Sequence, residues 1–222
     1  MKIFADTENL DDLKEFKAWG ILDGCTTNPL ILAKAGITDM KGHMIKILKL
    51  VQGPTSIEVT TNDLKAMLAE AKEISGWNRK DQNIVVKLPL NPDGLKASTL
   101  LNREGVKTNM TACMNCNQAI LGAKTGATYV SIFMGRIEDM GVDGAQVIRE
   151  TRELLDLHKL NSKIIAGSLR SVGDYTRAEK AGAHVLTVPS AILRKIPLHP
   201  RTESTINEFI TEYAKVKGKC KT

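Results

Sequence analysis

Short apolar runs alternate with longer amphipathic stretches along the whole chain. KIFAD at 2–6, TSIEV at 55–59, NIVVK at 83–87 and SKIIAG at 162–167 are too short for helices and read as strands; NIVVK, without polar alternation, reads as one covered on both faces. AWGILDGCTTNP, REGVKTNMTA, KTGATYVSIFMG and KAGAHVLTVPSA share one grammar: a helix end, a capping glycine, a short apolar strand, then polar residues. About eight strands alternating with helices predict an α/β fold, a (β/α)8 TIM barrel. An open doubly wound sheet uses the same alternation, but it calls for a GxGxxG turn after the first strand, and KIFADTENLDD has none. Beyond the last strand, TESTINEFITEYAKV puts Ile206, Phe209, Ile210, Tyr213 and Ala214 on one stripe, which predicts an additional amphipathic C-terminal helix over about 202–217. That stripe must cover the chain's own barrel or pack on a neighbouring subunit. No linker or low-complexity segment interrupts the chain, so the expectation is a single barrel domain over 1–222.

Lys87 is the discordant residue in this pattern, a cation inside the run NIVVKLPL. A buried ammonium is relieved either by snorkelling to water or by a lowered pKa that leaves a neutral amine. The second relief makes a nucleophile.

Composition narrows the class further. With 42% hydrophobic residues in 222, the chain has enough apolar surface for a full core. Its apolar runs fall far short of a membrane span, and Met1 leads directly into KIFAD with no room for a signal or transit peptide, so a cytoplasmic protein is expected. Cys25, Cys113, Cys116 and Cys220 suit a reducing compartment. Cys113 and Cys116 form a CxxC without two further ligands nearby, so the expectation is small buried core residues and no metal. The net charge of +6 is scattered except in the tail KVKGKCKT, and aromatic residues make up 4%, which argues against nucleic acid and for a solvated surface that attracts anionic small molecules.

In such a barrel chemistry gathers at the C-terminal ends of the strands. Those ends are polar here: Asp6; Thr26, Thr27 and Asn28; Glu58; Lys87; Asn109 and Thr111; Ser131, with Phe133 beside it; Ser168 and Arg170. Singly, each has a plain explanation, since Asp6 or Asn28 caps a helix and Glu58 or Arg170 sits in solvent. Together they describe a pocket for Schiff-base chemistry on a polyhydroxylated, phosphorylated carbonyl compound: the amine attacks the carbonyl, carboxylates move protons, and hydroxyls and amides hold the sugar oxygens. GSLRS opens a helix after the seventh strand, where N–H groups and a guanidinium are expected to grip a phosphate.

MKIFADTENLDDLK, GCTTNP, SIEV, NIVVKLPL, TGATYVSIFMGRIEDMG and AGSLRS together resemble the small-chain transaldolase family, which also contains fructose-6-phosphate aldolases. The likeness runs from Met1 to about Pro200. It implies a cofactor-free, metal-free class I transaldolase of the non-oxidative pentose phosphate pathway. Lys87 would form the Schiff base and pass a dihydroxyacetone unit from fructose 6-phosphate to erythrose 4-phosphate. Asp6 would take the C4 hydroxyl proton, while Glu58 and Thr111 would hold a proton-shuttling water. Asn28, Asn109 and Ser131, with Thr27 nearby, would bind the dihydroxyacetone hydroxyls; Arg136, Ser168 and Arg170 would bind the phosphate. The partners implied are sugar phosphates and further copies of the chain, in a pentamer or decamer whose C-terminal helix reaches a neighbour, with no membrane. Fructose-6-phosphate aldolase is the alternative, and that branch carries glutamine and tyrosine where this chain has Glu58 and Phe133. The family usually has valine at Cys25, serine at Leu30, proline at Ile132 and an aromatic or isoleucine at Leu169, and Cys25 beside the active strands suggests sensitivity to oxidation. A binding protein that had lost the activity would tolerate loss of Lys87, Asp6 or Glu58, and this chain retains all of them.

Overall fold

In the computed structural model, which describes residues 1–77 and 83–219, eight parallel strands close into a barrel in chain order. They are β1 (Lys2–Asp6), β2 (Gly24–Thr26), β3 (Thr55–Glu58), β4 (Ile84–Pro89), β5 (Thr108–Cys113), β6 (Tyr129–Phe133), β7 (Lys163–Gly167) and β8 (Val185–Pro189). β8 returns to β1, from Lys2 opposite Val185 to Asp6 opposite Pro189, so the sheet has no free edge. Helices fill the crossovers, and the fold is a (β/α)8 barrel with an added C-terminal helix.

Three strand extents differ from the sequence pattern, β7 only in starting at Lys163 instead of Ser162. β3 stops at Glu58, one residue early, and β4 runs on past Lys87 to Pro89. Leu88 and Pro89 still pair with Met110 and Thr111 of β5, and Leu90 N donates to the Thr111 carbonyl just past the proline. Lys87 therefore lies inside its strand, with Glu58 on one side and Asn109 on the other.

Inward positions recur every second residue along a barrel strand. Phe4, Val85, Tyr129, Ile165 and Val185 form one buried cluster, the apolar floor of the barrel, with the Phe4 and Tyr129 rings edge-on at 6.1 Å. Gly24 makes room for it: a Cβ there would stand 2.4 Å from the Phe4 ring and 2.5 Å from the Pro54 carbonyl oxygen. The alternate residues of the same strands, such as Ala5, Val86, Val130, Ile164 and Leu186, belong to the larger core with the surrounding helices. Each large side chain buried there contributes about 1.5–3 kcal/mol by leaving water. Two residues beyond the floor, the same five strands present Asp6, Lys87, Ser131, Gly167 and Thr187 to a single cavity. One pleat thus packs the floor with apolar groups and delivers small and polar ones to the mouth.

The C-terminal helix spans Pro200–Lys219. Its stripe does not cover the chain's own barrel, contrary to the first of the two expectations: Ile206 is 50% exposed, and Phe209 and Tyr213 are each 67% exposed. No helix among the described residues is long and apolar enough to cross a membrane.

The cysteines correct two further expectations. Cys25 and Cys113 are buried, but Cys116 is only partly so, at the first turn of the helix Cys116–Lys124; Cys220 lies outside the described residues. Burial pushes the Cys113 thiol up to about 12 and the Cys25 thiol higher still, with the nearby Asp6 carboxylate adding to the shift. Burial and a raised thiol both argue against ready oxidation of Cys25. Among the described residues no three His, Cys, Asp or Glu side chains gather as a metal site.

Candidate active site

The Lys87 side chain enters the cavity from β4 and is 4% exposed as a residue. It neither snorkels nor stands alone: Nζ lies 3.0 Å from Glu58 Oε2 and donates to the Thr27 carbonyl at 3.3 Å. The parallel register that sets Glu58 beside Lys87 thus supplies a relief that the apolar run alone did not reveal. A carboxylate in direct contact with an amine is placed where a proton can pass between the two.

Asp6, at the end of β1, accepts a hydrogen bond from Thr26 Oγ1 at 2.7 Å. Withdrawal from water pushes its carboxyl above the usual range, against the Thr26 hydrogen bond and the Lys87 charge, both of which favour ionisation. It does not cap the following helix; Asn9 does. Asn28 does cap: its Oδ1 accepts from Ile31 N at 3.0 Å, opening the helix Pro29–Lys34, and it also lines the cavity. Its amide Nδ2 is the group left to face a ligand.

On the far wall, Ser131 Oγ donates to Asn109 Oδ1 at 2.8 Å, and Asn109 Nδ2 donates to Ser56 Oγ at 3.2 Å. Asn109 is fully buried, so it orients Ser131 at the cavity wall. Thr27 turns its hydroxyl toward the Ser56 carbonyl at 3.3 Å and serves Lys87 through its backbone oxygen. Thr111 Oγ1 is buried and engages none of the described residues. It sits at a bulge: the β5–β6 register slips between Met110 and Cys113, and Ala112 takes the left-handed conformation with φ of 62°. Bulges of this kind re-aim a side chain.

Phe133 separates two cations, with its ring centroid 5.8 Å from Lys87 Nζ and 5.3 Å from the Arg136 guanidinium. Arg136 and Ser168 line the inner cavity, about 130 Å³. That cavity meets an outer one of about 490 Å³, walled by Leu30, Lys34, Glu58 and Ala112. Ser168 is left-handed, φ 59°, and its carbonyl packs so closely on Gly135 that a Cβ there would lie 2.2 Å from it. Arg170 stands exposed at the rim, its guanidinium held at both terminal nitrogens by Asp139. The N-terminus of the helix Val172–Lys180 is also occupied. A capping box joins Ser171 and Asp174, and Asp174 Oδ2 accepts from the N–H groups of Arg170 and Ser171. Those amides, facing an acidic side chain, are not free for a phosphate.

Sequence reasoning passed over Thr187, which lines the cavity, and left Thr26 without a role. The available signal was spacing: Val185 and Thr187 repeat the inward alternation of Phe4 and Asp6.

A lysine–carboxylate pair within the mouth of a closed (β/α)8 barrel defines the broad class, barrels that present a buried lysine to a polar cavity. The family profile described as "Transaldolase/Fructose-6-phosphate aldolase" matches residues 3–221, and the chain belongs to that family. It is 42% identical over 219 residues to a protein named probable transaldolase from Symbiobacterium thermophilum, covering 99% of this chain and 100% of that one. A probable transaldolase from Alkaliphilus metalliredigens is 40% identical over 213 residues, with coverage of 96% and 98%. Another, from Streptococcus pyogenes serotype M5, is 39% identical over 217 residues, with coverage of 98% and 100%.

Proposed function

We propose that the protein is a transaldolase that moves a dihydroxyacetone unit from fructose 6-phosphate or sedoheptulose 7-phosphate to an aldose phosphate through a Schiff base on Lys87. The observation that carries this reading is the 3.0 Å contact between Lys87 Nζ and Glu58 Oε2 at the cavity. Glu58 takes the ammonium proton, the amine attacks the C2 carbonyl, and loss of water gives the protonated imine. Asp6, at the same wall, accepts the C4 hydroxyl proton; the C3–C4 bond breaks, its electrons enter the imine as an enamine, and the aldose phosphate leaves. The enamine attacks the acceptor aldehyde, Asp6 returns the proton, and water delivered by Glu58 and Thr111 hydrolyses the imine. Asn28 and Ser131 hold the three-carbon unit in the inner cavity, and Arg136 with Ser168 receives the phosphate. No metal or cofactor takes part in these steps.

The aldolase alternative releases free dihydroxyacetone. Phe133, 5.8 Å from Nζ, carries no hydroxyl to protonate the enamine, which favours transfer. Glyceraldehyde 3-phosphate formation from fructose 6-phosphate, measured with and without erythrose 4-phosphate, is the test. The transaldolase reading predicts rapid formation only with acceptor. Equal rates in both cases identify an aldolase.

The setting we infer is the non-oxidative pentose phosphate pathway of the cytoplasm, in a homo-oligomer. The exposed stripe around Phe209 is the surface that seats on another copy. Phe209→Asp with Tyr213→Asp is expected to lower the mass measured by light scattering, and an unchanged mass assigns the contact elsewhere.

A further inference from the structure

Two threonines from the strands flanking β1 converge on its terminal carboxylate. Thr26 of β2 donates to Asp6 Oδ1 at 2.7 Å, and its Oγ1 lies 2.5 Å from Oγ1 of Thr187 on β8. Thr26 and Thr187 are 3% and 6% exposed, so bulk water does not compete for these hydroxyls. Thr187 also lines the cavity that holds Lys87 and Asp6.

Each hydroxyl has one hydrogen to donate. When Asp6 is ionised, Thr26 spends its hydrogen on the carboxylate, so the short contact is made by the Thr187 hydrogen pointing to Thr26, and both hydrogens run toward the charge. When Asp6 carries the proton, the carboxyl hydrogen turns to Thr26 Oγ1 and the Thr26 hydrogen turns to Thr187 Oγ1. The same three oxygens are satisfied in both states. Apart from the proton gained at Asp6 Oδ1, only hydroxyl rotations separate them, and no proton leaves along the chain.

We propose that Thr187, acting through Thr26, is a positioning residue that keeps Asp6 in one geometry through both directions of its proton transfer. This rests on the reading of Asp6 as the group that takes and returns the C4 proton. Thr187 polarises the Thr26 hydroxyl toward the ionised carboxylate, since hydrogen bonds in a chain strengthen one another. Both states lose one bond without Thr187, and the ionised one loses the more strongly polarised, so loss of Thr187 favours the protonated form of Asp6. The other groups facing Asp6 are Lys87 from β4, the buried Cys25 thiol from β2, and Glu58, Lys34 and Arg136 across the outer cavity. The test leaves all of them in place.

The experiment compares Thr187→Val, Thr187→Ala and Thr187→Ser, in the native protein and in Asp6→Asn, by kcat/KM as a function of pH. Thr187→Val and Thr187→Ala are expected to move the acid limb upward by roughly half a pH unit or more. They are expected to lower kcat roughly tenfold with KM little changed, and Thr187→Ser restores both quantities. In Asp6→Asn, Thr187→Val adds no further loss to the residual rate. Borohydride trapping on Lys87 with fructose 6-phosphate, run on every variant, separates the two levels of the reading. Trapping in the variants together with an unmoved acid limb, or serine failing to restore it, overturns the role of Thr187 alone. No trapping in the native protein overturns both readings.

Discussion

Lys87 and Glu58 are register partners on adjacent strands, and their charged atoms lie 3.0 Å apart. Taking two charges out of water costs several kcal/mol per ion, and attraction alone often fails to offset it. The pair is therefore better understood by what it can do at the cavity than as a stabilising feature. A lysine 4% exposed needs a partner in contact, and Schiff-base chemistry at this residue would use that partner as the group that takes its proton.

Asp6 is the second place where function and stability pull apart. Its folded pKa is raised by burial, so the unfolded chain releases this proton at lower pH than the folded one does. Its contribution to stability is full below the unfolded carboxylate pKa and is lost as pH rises through the folded value. Asp6→Asn should therefore raise the melting temperature at pH 7 while abolishing transfer, with the gain shrinking as the pH is lowered toward 4. Melting curves across that range check it; a destabilised Asp6→Asn at pH 7 contradicts the burial account.

The phosphate contacts should divide unequally between the two arginines. Arg136 lines the cavity, whereas the Arg170 guanidinium is already engaged by Asp139. Arg136→Ala is expected to lose roughly 1.5–3 kcal/mol of charge-assisted contact, about a tenfold or greater rise in KM for fructose 6-phosphate. Arg170→Ala should cost less, and dihydroxyacetone as donor should be affected by neither. A larger loss from Arg170→Ala would mean that Arg170 leaves Asp139 to bind the substrate.

Cysteine reactivity offers a check that does not depend on turnover. Cys25 and Cys113 are buried with thiols pushed up by burial, while Cys116 is partly exposed. Native alkylation with iodoacetamide followed by peptide mass analysis should modify Cys116 and spare Cys25 and Cys113 until denaturant is added. Rapid labelling of Cys25 would show that the core between the barrel and its helices opens in solution.

Most of the barrel was legible in the sequence because it rests on local patterns: short apolar strands, capping glycines, and the helical stripe of Ile206, Phe209 and Tyr213. Lys87 was legible because a cation interrupts an apolar run. What stayed hidden depends on register and on contacts distant in sequence. Thr187 passes as an ordinary strand residue, since threonine suits a half-buried pleat. Its partner Thr26 is 161 residues away, so only barrel closure brings the two together. The Glu58–Lys87 contact needed the exact pairing of β3 with β4. The bulge beside Thr111 requires left-handed backbone at Ala112, a residue type that gives no warning of it. The pairing of Arg170 with Asp139 across two loops likewise has no local signature.

The most direct measurement of the central claim is borohydride reduction of the protein with fructose 6-phosphate, followed by digestion and mass analysis, alongside Lys87→Arg. Arginine stays protonated and forms no imine, so the variant should keep its fold by circular dichroism, form no adduct and show no transfer. The native protein should carry a single reduced dihydroxyacetone adduct, on the peptide containing Lys87. An adduct on a different lysine, or appreciable transfer by folded Lys87→Arg, would contradict the account.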